Sequence, residues 1–127
     1  MGITLFDRTN NGNNWNVNFW NWRPIVEIIR SLELLPEERV DALHEQLAGN
    51  GLSESEARSV ATAIRERVLP VLRSEERILL DGSTTTEPDD HVFHRPGTEE
   101  RKNYGTTLDV LQLFVEYCEH SHGFDVC

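Results

Sequence analysis

The spacing of the hydrophobic residues changes once, close to residue 22, and this change constrains the fold class. Before it, Trp15, Val17 and Phe19 alternate with asparagines in WNVNF, as in a strand with one buried face. After it, apolar residues recur every three or four positions, as on one face of a helix: Ile25, Ile28, Ile29 and Leu32. A strand region followed by helices predicts an α+β domain.

The first 22 residues have the pattern of a β-hairpin. The run ITLF and the alternating WNVN flank the segment DRTNNGNN. Asn and Gly tolerate the positive φ angles that tight turns require. We therefore expect residues 1–22 to form an N-terminal hairpin.

Residues 23–81 are predicted to be helical, and prolines divide the region. Pro24 suits a first helical turn, where its missing N–H costs nothing. Pro36 ends this helix and can begin the next. In the third helix, Ser53 and Glu56 have the spacing of a capping box. Apolar residues keep the helical period as far as Leu79, which predicts a helix that Pro70 kinks or splits.

Residues 82–105 are polar and rich in Gly, Pro and Thr, so we expect a long loop. Residues 106–127 follow as a C-terminal helix and an extended tail, FDVC, with Gly123 at the helix end. One face of this helix carries the apolar stripe: Leu108, Leu111, Phe114, Val115 and Cys118. The 127 residues are thus expected to form a single domain, mostly helical, with an N-terminal hairpin and about four helices.

The charge balance is acidic and restricts the partners. The chain has 22 Asp and Glu against 12 Lys and Arg, a net charge of −10. A field of this sign repels phosphate backbones and anionic lipid, which disfavours binding to nucleic acid or to a membrane surface. It is compatible with a basic protein partner, although acidity can also serve solubility alone. With no secretory signal and no apolar stretch of about 20 residues, we expect a soluble cytoplasmic protein with reduced thiols.

All three tryptophans lie within residues 15–22, immediately before Arg23. One interpretation is structural, in which the rings fill the joint between hairpin and helix and Arg23 stacks on one of them. The other is a pocket in which Trp20, Trp22 and Arg23 bind a planar ring and an anionic group, as a nucleotide-like small ligand would require.

A zinc site can be constructed from His91, His94, Cys118 and His122. Tight pairs such as Cys-x-x-Cys are absent, and Cys118 continues the apolar stripe of the last helix. We therefore expect a core cysteine and no metal or other cofactor, with zinc as the alternative. A disulfide between Cys118 and Cys127 is disfavoured in a reducing compartment.

The loop 82–105 offers two further interpretations. Asp89 and Asp90 with His91 and His94 could support metal-dependent hydrolysis, but no established catalytic motif is present. Asp89 and Asp90 beside Phe93 could instead form an acidic rim around an apolar anchor for a partner.

Three stretches resemble a family of small uncharacterised bacterial and phage proteins. That family has an aromatic-Trp-Arg-Pro motif, a Gly-Leu turn before a helix and a Gly-Phe-x-Val-Cys ending. The matching positions are Trp20, Trp22, Arg23 and Pro24, then Gly51 and Leu52, then Gly123, Phe124, Val126 and Cys127. In the family two glycines precede the phenylalanine of this ending, and here His122 stands in place of the first. The Cys-x-x-Cys motifs of some relatives are missing. The resemblance implies a shared fold but does not indicate an activity.

The function predicted from the sequence is therefore a non-enzymatic binding or regulatory module that acts on a basic protein partner. Small size, acidity and the resemblance to phage proteins favour an inhibitor-like role in a bacterial or phage conflict system. The alternatives are a small-ligand binder that uses Trp and Arg, and a metal-dependent hydrolase that uses the loop histidines.

Overall fold

The structure, a computed structural model, describes residues 2–9, 14–45, 50–80, 82–86 and 105–127. The helices are α1 (Phe19–Ser31), α2 (Glu37–Ala42), α3 (Glu54–Arg67) and α4 (Leu108–His120), with a 3₁₀ turn at Leu69–Val71. The strands are β1 (Gly2–Asp7), β2 (Trp15–Asn18), β3 (Gly51–Ser53), β4 (Arg77–Leu79), β5 (Thr84–Thr85), β6 (Gly105–Thr107) and β7 (Gly123–Val126).

The α+β class is confirmed, but the expectation of a mostly helical domain is not supported. Helices take 49% and strands 25% of the described residues, and the strands form two antiparallel sheets. The predicted N-terminal hairpin is present, with Ile3 of β1 opposite Val17 of β2. Its second strand passes directly into α1, which begins at Phe19 rather than at residue 23.

The larger sheet joins the two ends of the chain. Its strand order is β2-β1-β7-β3, so the C-terminal strand lies between the N-terminal strand and β3. The tail was expected to be extended, and β7 confirms this, but its central place in a sheet was not predicted. One face of the sheet is buried in the core: Ile3, Leu5, Val17, Leu52, Phe124 and Val126.

Two glycines allow β3 and β7 to approach closely. A Cβ atom at Gly51 would lie 1.9 Å from the backbone oxygen of Phe124. Gly123 has a φ of +92°, and its Cβ would lie 3.0 Å from the oxygen of Leu52. A side chain at either position would therefore disturb the pairing of these strands.

The predicted helix over residues 53–81 is correct only in its first half. Ser53 Oγ accepts from the N–H of Glu56 and Glu56 accepts from the N–H of Ser53, which confirms the capping box. The helix ends at Arg67, because Pro70 has no N–H to donate and a 3₁₀ turn replaces the next helical turn.

Leu79 lies not on a helix but on β4, the middle strand of a second sheet with order β5-β4-β6. Within the predicted loop 82–105, Thr84 and Thr85 form β5 and Gly105 begins β6. The remainder of that loop, residues 87–104, lies outside the described residues.

The core is centred on Phe114 of α4, which lies among aromatic side chains from distant parts of the chain. Its ring centroid is 5.8 Å from that of Trp15, 5.9 Å from that of Trp22 and 6.5 Å from that of Phe124. Helix α4 also packs along α3, and α1 contacts strands of both sheets. The predicted apolar stripes of α1 and α4 are confirmed because they face this core.

Candidate functional site

Trp22, one of the three residues of the predicted pocket with Trp20 and Arg23, belongs to the core. Its ring is 1% exposed, and its indole N–H donates to the backbone oxygen of Leu43 at 2.9 Å. A buried, hydrogen-bonded indole ties α1 to the end of α2. It cannot contact a ligand without opening the core.

Trp20 and Arg23 lie near the surface, and each contacts Phe19. Trp20 is 39% exposed, and its ring meets that of Phe19 edge-on at 5.9 Å between centroids. The guanidinium carbon of Arg23 lies 5.6 Å from the centre of the same ring, within cation–π range. Arg23 thus stacks on an aromatic ring, as the structural interpretation predicted, but the ring is phenylalanine rather than tryptophan.

The C-terminal candidates for zinc do not converge. Cys118 is fully buried in the core, and burial raises the pKa of its thiol well above its usual range. His122 lies beyond the end of α4, with its side chain 47% exposed. Among the described residues no group of three or more potential ligands could hold a metal ion. The histidines at 91 and 94 lie outside the described residues, and Cys118 and Cys127 are not joined by a disulfide.

His122 instead adjoins a buried carboxylate. Asp7 accepts hydrogen bonds from the hydroxyl and N–H of Thr9, at 2.7 and 2.9 Å, and from the N–H of His122 at 3.3 Å. The His122 Nδ1 atom lies 3.6 Å from Asp7 Oδ2. Burial raises the pKa of Asp7, but the hydrogen bonds from Thr9 and His122 lower it by more, so the net shift is downward. The arrangement holds the end of β1 against the start of β7.

A strongly acidic surface surrounds the short helix α2. We define it by six exposed residues: Glu33, Leu34, Glu37, Glu38, Asp41 and Glu45. Arg30 of α1 binds Glu37 and Asp41 of this surface and also Glu27 of its own helix. One arginine thus faces several carboxylates, and the surface keeps an excess of negative charge.

Part of the acidic surface is not used in internal contacts. Within the segments described by the structure, Glu33, Glu38 and Glu45 make no ion pair. Leu34, beside Glu33, keeps 39% of its surface exposed. Glu33 itself has a φ of 56°, a left-handed conformation that is uncommon for residues other than glycine. The surface therefore combines available carboxylates with an exposed apolar side chain.

A cleft of about 450 Å³ lies between α1, the end of α3 and the β4–β5 turn. Its wall is mainly apolar, with Ile28 from α1, Val68 after α3, and Ile78 and Leu79 from β4. Two charged side chains, Glu27 and Arg67, also line it. Clefts of roughly 300–1,000 Å³ with apolar walls and few polar groups are typical of small-molecule sites.

These two regions were not identified from the sequence. The run ELLPEERVDALHE is dense in carboxylates, and this signal could have indicated the acidic surface. The cleft could not be predicted because it needs β4 as a strand. The predicted contact residues Asp89, Asp90 and Phe93 lie outside the described residues.

Comparisons of the chain with protein-family models, with curated proteins and with solved structures give no match. Across the described segments, no helix has the length and apolar character needed to cross a membrane. The function must therefore be argued from the residues of this chain.

Proposed function

We propose that the protein is a non-catalytic binding or regulatory module that binds a basic surface of another protein through its acidic surface. The observation that carries the proposal is the set of carboxylates at Glu33, Glu38 and Glu45, which make no ion pair in the described structure, together with exposed Leu34 beside Glu33. A charged rim around an apolar side chain is a common arrangement in protein interfaces.

The charge of the whole chain supports the same partner chemistry. With a net charge of −10, the protein attracts a basic partner over distances near the Debye length, about 8 Å at physiological ionic strength. Such attraction mainly raises the rate of association, and the contact itself must then supply the affinity. In this proposal Leu34 is the apolar anchor, and Asp89, Asp90 and Phe93 form a second contact region.

An inhibitor-like role in a bacterial or phage conflict system is the finer form of this proposal. It is supported by the small size, the acidity and the resemblance to phage proteins. Inhibitors that cover a basic functional surface can act without any chemistry of their own. The thiol of Cys118 and the carboxylate of Asp7 are buried and have structural roles, which is compatible with a non-catalytic module.

The test is charge reversal on the acidic surface. The triple variant Glu33→Lys, Glu38→Lys, Glu45→Lys should lose a basic partner that the unmodified protein captures from a lysate of the source cells. Reconstitution with that purified partner should show that affinity falls as salt rises from about 50 to 500 mM, mainly through slower association.

The matched control reverses three exposed carboxylates elsewhere, Glu75→Lys, Asp109→Lys and Glu116→Lys. It changes the net charge by the same amount and should retain the partner. If both variants lose the partner equally, net charge rather than the acidic surface is responsible. A captured partner that is itself acidic, or an affinity independent of salt, would contradict the proposal.

A further inference from the structure

The cleft beside β4 has an apolar wall and an exposed apolar residue at its edge. Its wall includes Ile28, Val68 and Ile78, and Val71 stands at its edge with 76% of its surface exposed. Val71 follows Pro70 in the 3₁₀ turn, so the break in the helix places it there. An apolar cleft with an apolar edge favours a ligand with an apolar body.

Of the two charged side chains that line the cleft, the one available to a ligand is a hydrogen-bond donor. The carboxylate of Glu27 is already bound by Arg30 at 3.2 Å and by His44 at 3.1 Å. Arg67, by contrast, makes no ion pair in the described part of the chain. Five other arginines each bind a carboxylate there: Arg8, Arg30, Arg39, Arg58 and Arg65.

Arg67 has no carboxylate partner among the described residues, although the chain is acidic. Acidic residues outnumber basic ones by 22 to 12, so internal carboxylate partners are plentiful. The last turn of α3 favours a cation through the helix dipole, which stabilises Arg67 in place. Its planar guanidinium can donate two parallel hydrogen bonds to a carboxylate.

We propose that this cleft binds a small molecule with an apolar body and one carboxylate, the carboxylate bound by Arg67. The negative field of the whole chain repels a bare anion. Burial of the apolar body must therefore supply much of the affinity, and a small carboxylate such as acetate is not expected to bind. The site shares no residue with the acidic surface, and it stands whether or not a basic protein partner exists.

The experiment uses three probes with the same tail: octanoate, octanol and octylammonium. Each is titrated into the isotope-labelled full chain, and amide chemical shifts are followed by NMR. Octanoate should shift the amides of Ile28, Val68 and Ile78 and should bind more tightly than octanol, with octylammonium weakest. Arg67→Gln should weaken octanoate by about 10-fold or more, to near the affinity for octanol.

Two further variants separate a specific site from general effects. Arg73→Gln removes an exposed arginine outside the cleft and should leave the affinity for octanoate unchanged. Val71→Trp fills the edge of the cleft from an exposed position and should weaken both octanoate and octanol. The proposal is overturned if octylammonium binds as well as octanoate, if Arg67→Gln has no effect, or if no probe shifts the cleft amides at millimolar concentration.

Discussion

At the residue scale, the fold gives hydrogen-bond partners to several of its buried polar groups. Asp7 accepts three hydrogen bonds, the indole of Trp22 donates to Leu43, and the hydroxyl of Tyr117 donates to the oxygen of Leu5 at 3.1 Å. A buried polar group costs little when it is paired and much when its partner is removed. The bonds from His122, Trp22 and Tyr117 connect segments far apart in the sequence and could not be predicted from local patterns, whereas the two bonds from Thr9 to Asp7 are local.

Asp7 should make stability depend on pH in the acid range. Its pKa is lowered from 3.8 in the folded protein. The contribution of the carboxylate is therefore fully present above the unfolded value and is lost as pH falls through the lower folded value. Asp7→Asn should reduce the free energy of unfolding by about 1–3 kcal/mol at pH 7.

Urea unfolding between about pH 5 and pH 2 is the measurement. The difference between the unmodified protein and Asp7→Asn should shrink as pH falls, because Asp7 becomes protonated. Asp109→Asn, an exposed carboxylate, should follow the unmodified protein throughout. A difference that stays constant with pH would show that the charge of Asp7 contributes nothing.

At the element scale, long periodic segments were predictable and short strands were not. The stripes of α1 and α4 repeat over several turns, and the Ser53–Glu56 pair marks the start of α3 within four residues. By contrast, β4 has three residues, RIL, whose apolar spacing also fits a helix. It is a strand because it lies between β5, which follows it closely, and β6, which lies far along the chain.

The candidate sites also depend on contacts between distant elements, which the sequence does not show. The cleft is lined by Ile78 and Leu79 of β4. Because a helix was predicted over these residues, the cleft could not be recognised from the sequence. For the tryptophan region the sequence left a structural and a ligand-binding interpretation open. The packing of α1 against α2 and α4 placed Trp22 inside and left Trp20 near the surface. Neighbouring residues on a helix point in different directions, but which direction is buried depends on distant elements.

The close approach of β3 to β7 should make Gly51 intolerant of any side chain. In Gly51→Ala the new Cβ would lie 1.9 Å from the oxygen of Phe124, so the strands must separate. We expect a loss of roughly 3 kcal/mol or more in urea unfolding. Gly2→Ala is the matched control, because its Cβ would lie 4.0 Å from the nearest atom, the oxygen of Val17, and should change stability by less than about 0.5 kcal/mol.

Hydrogen exchange shows which strands are destabilised in Gly51→Ala. In Gly51→Ala the amides of Gly123–Val126 should exchange faster than in Gly2→Ala, because they lie in the strand next to β3. Equal stability of the two variants would mean that β3 and β7 do not pair in this register.

At the scale of the whole molecule, the C-terminal strand holds the larger sheet together. Strand β7 pairs with β1 through Leu5 and Val126, and with β3 through Leu52 and Phe124. Because β7 lies between β1 and β3, neither strand can complete its pairing until β7 is in place. A sheet that joins both chain ends is dominated by non-local contacts, which slows folding.

Removal of residues 123–127 should therefore unfold the whole domain rather than leave a folded domain without its last strand. Phe124 and Val126 are fully buried, and each contributes about 1.5–3 kcal/mol, against a typical total stability of about 5–15 kcal/mol. Deletion also leaves the backbone groups of β1 and β3 that faced β7 without partners, which adds a further cost.

The truncated chain should lack dispersed amide signals in NMR and a cooperative melting transition. Cys127→Ser, which changes an exposed side chain and keeps the strand, should melt within a few degrees of the unmodified protein. A truncated chain that still melts cooperatively would show that β1 and β3 do not need β7, and that the smaller sheet and the helices form a domain by themselves.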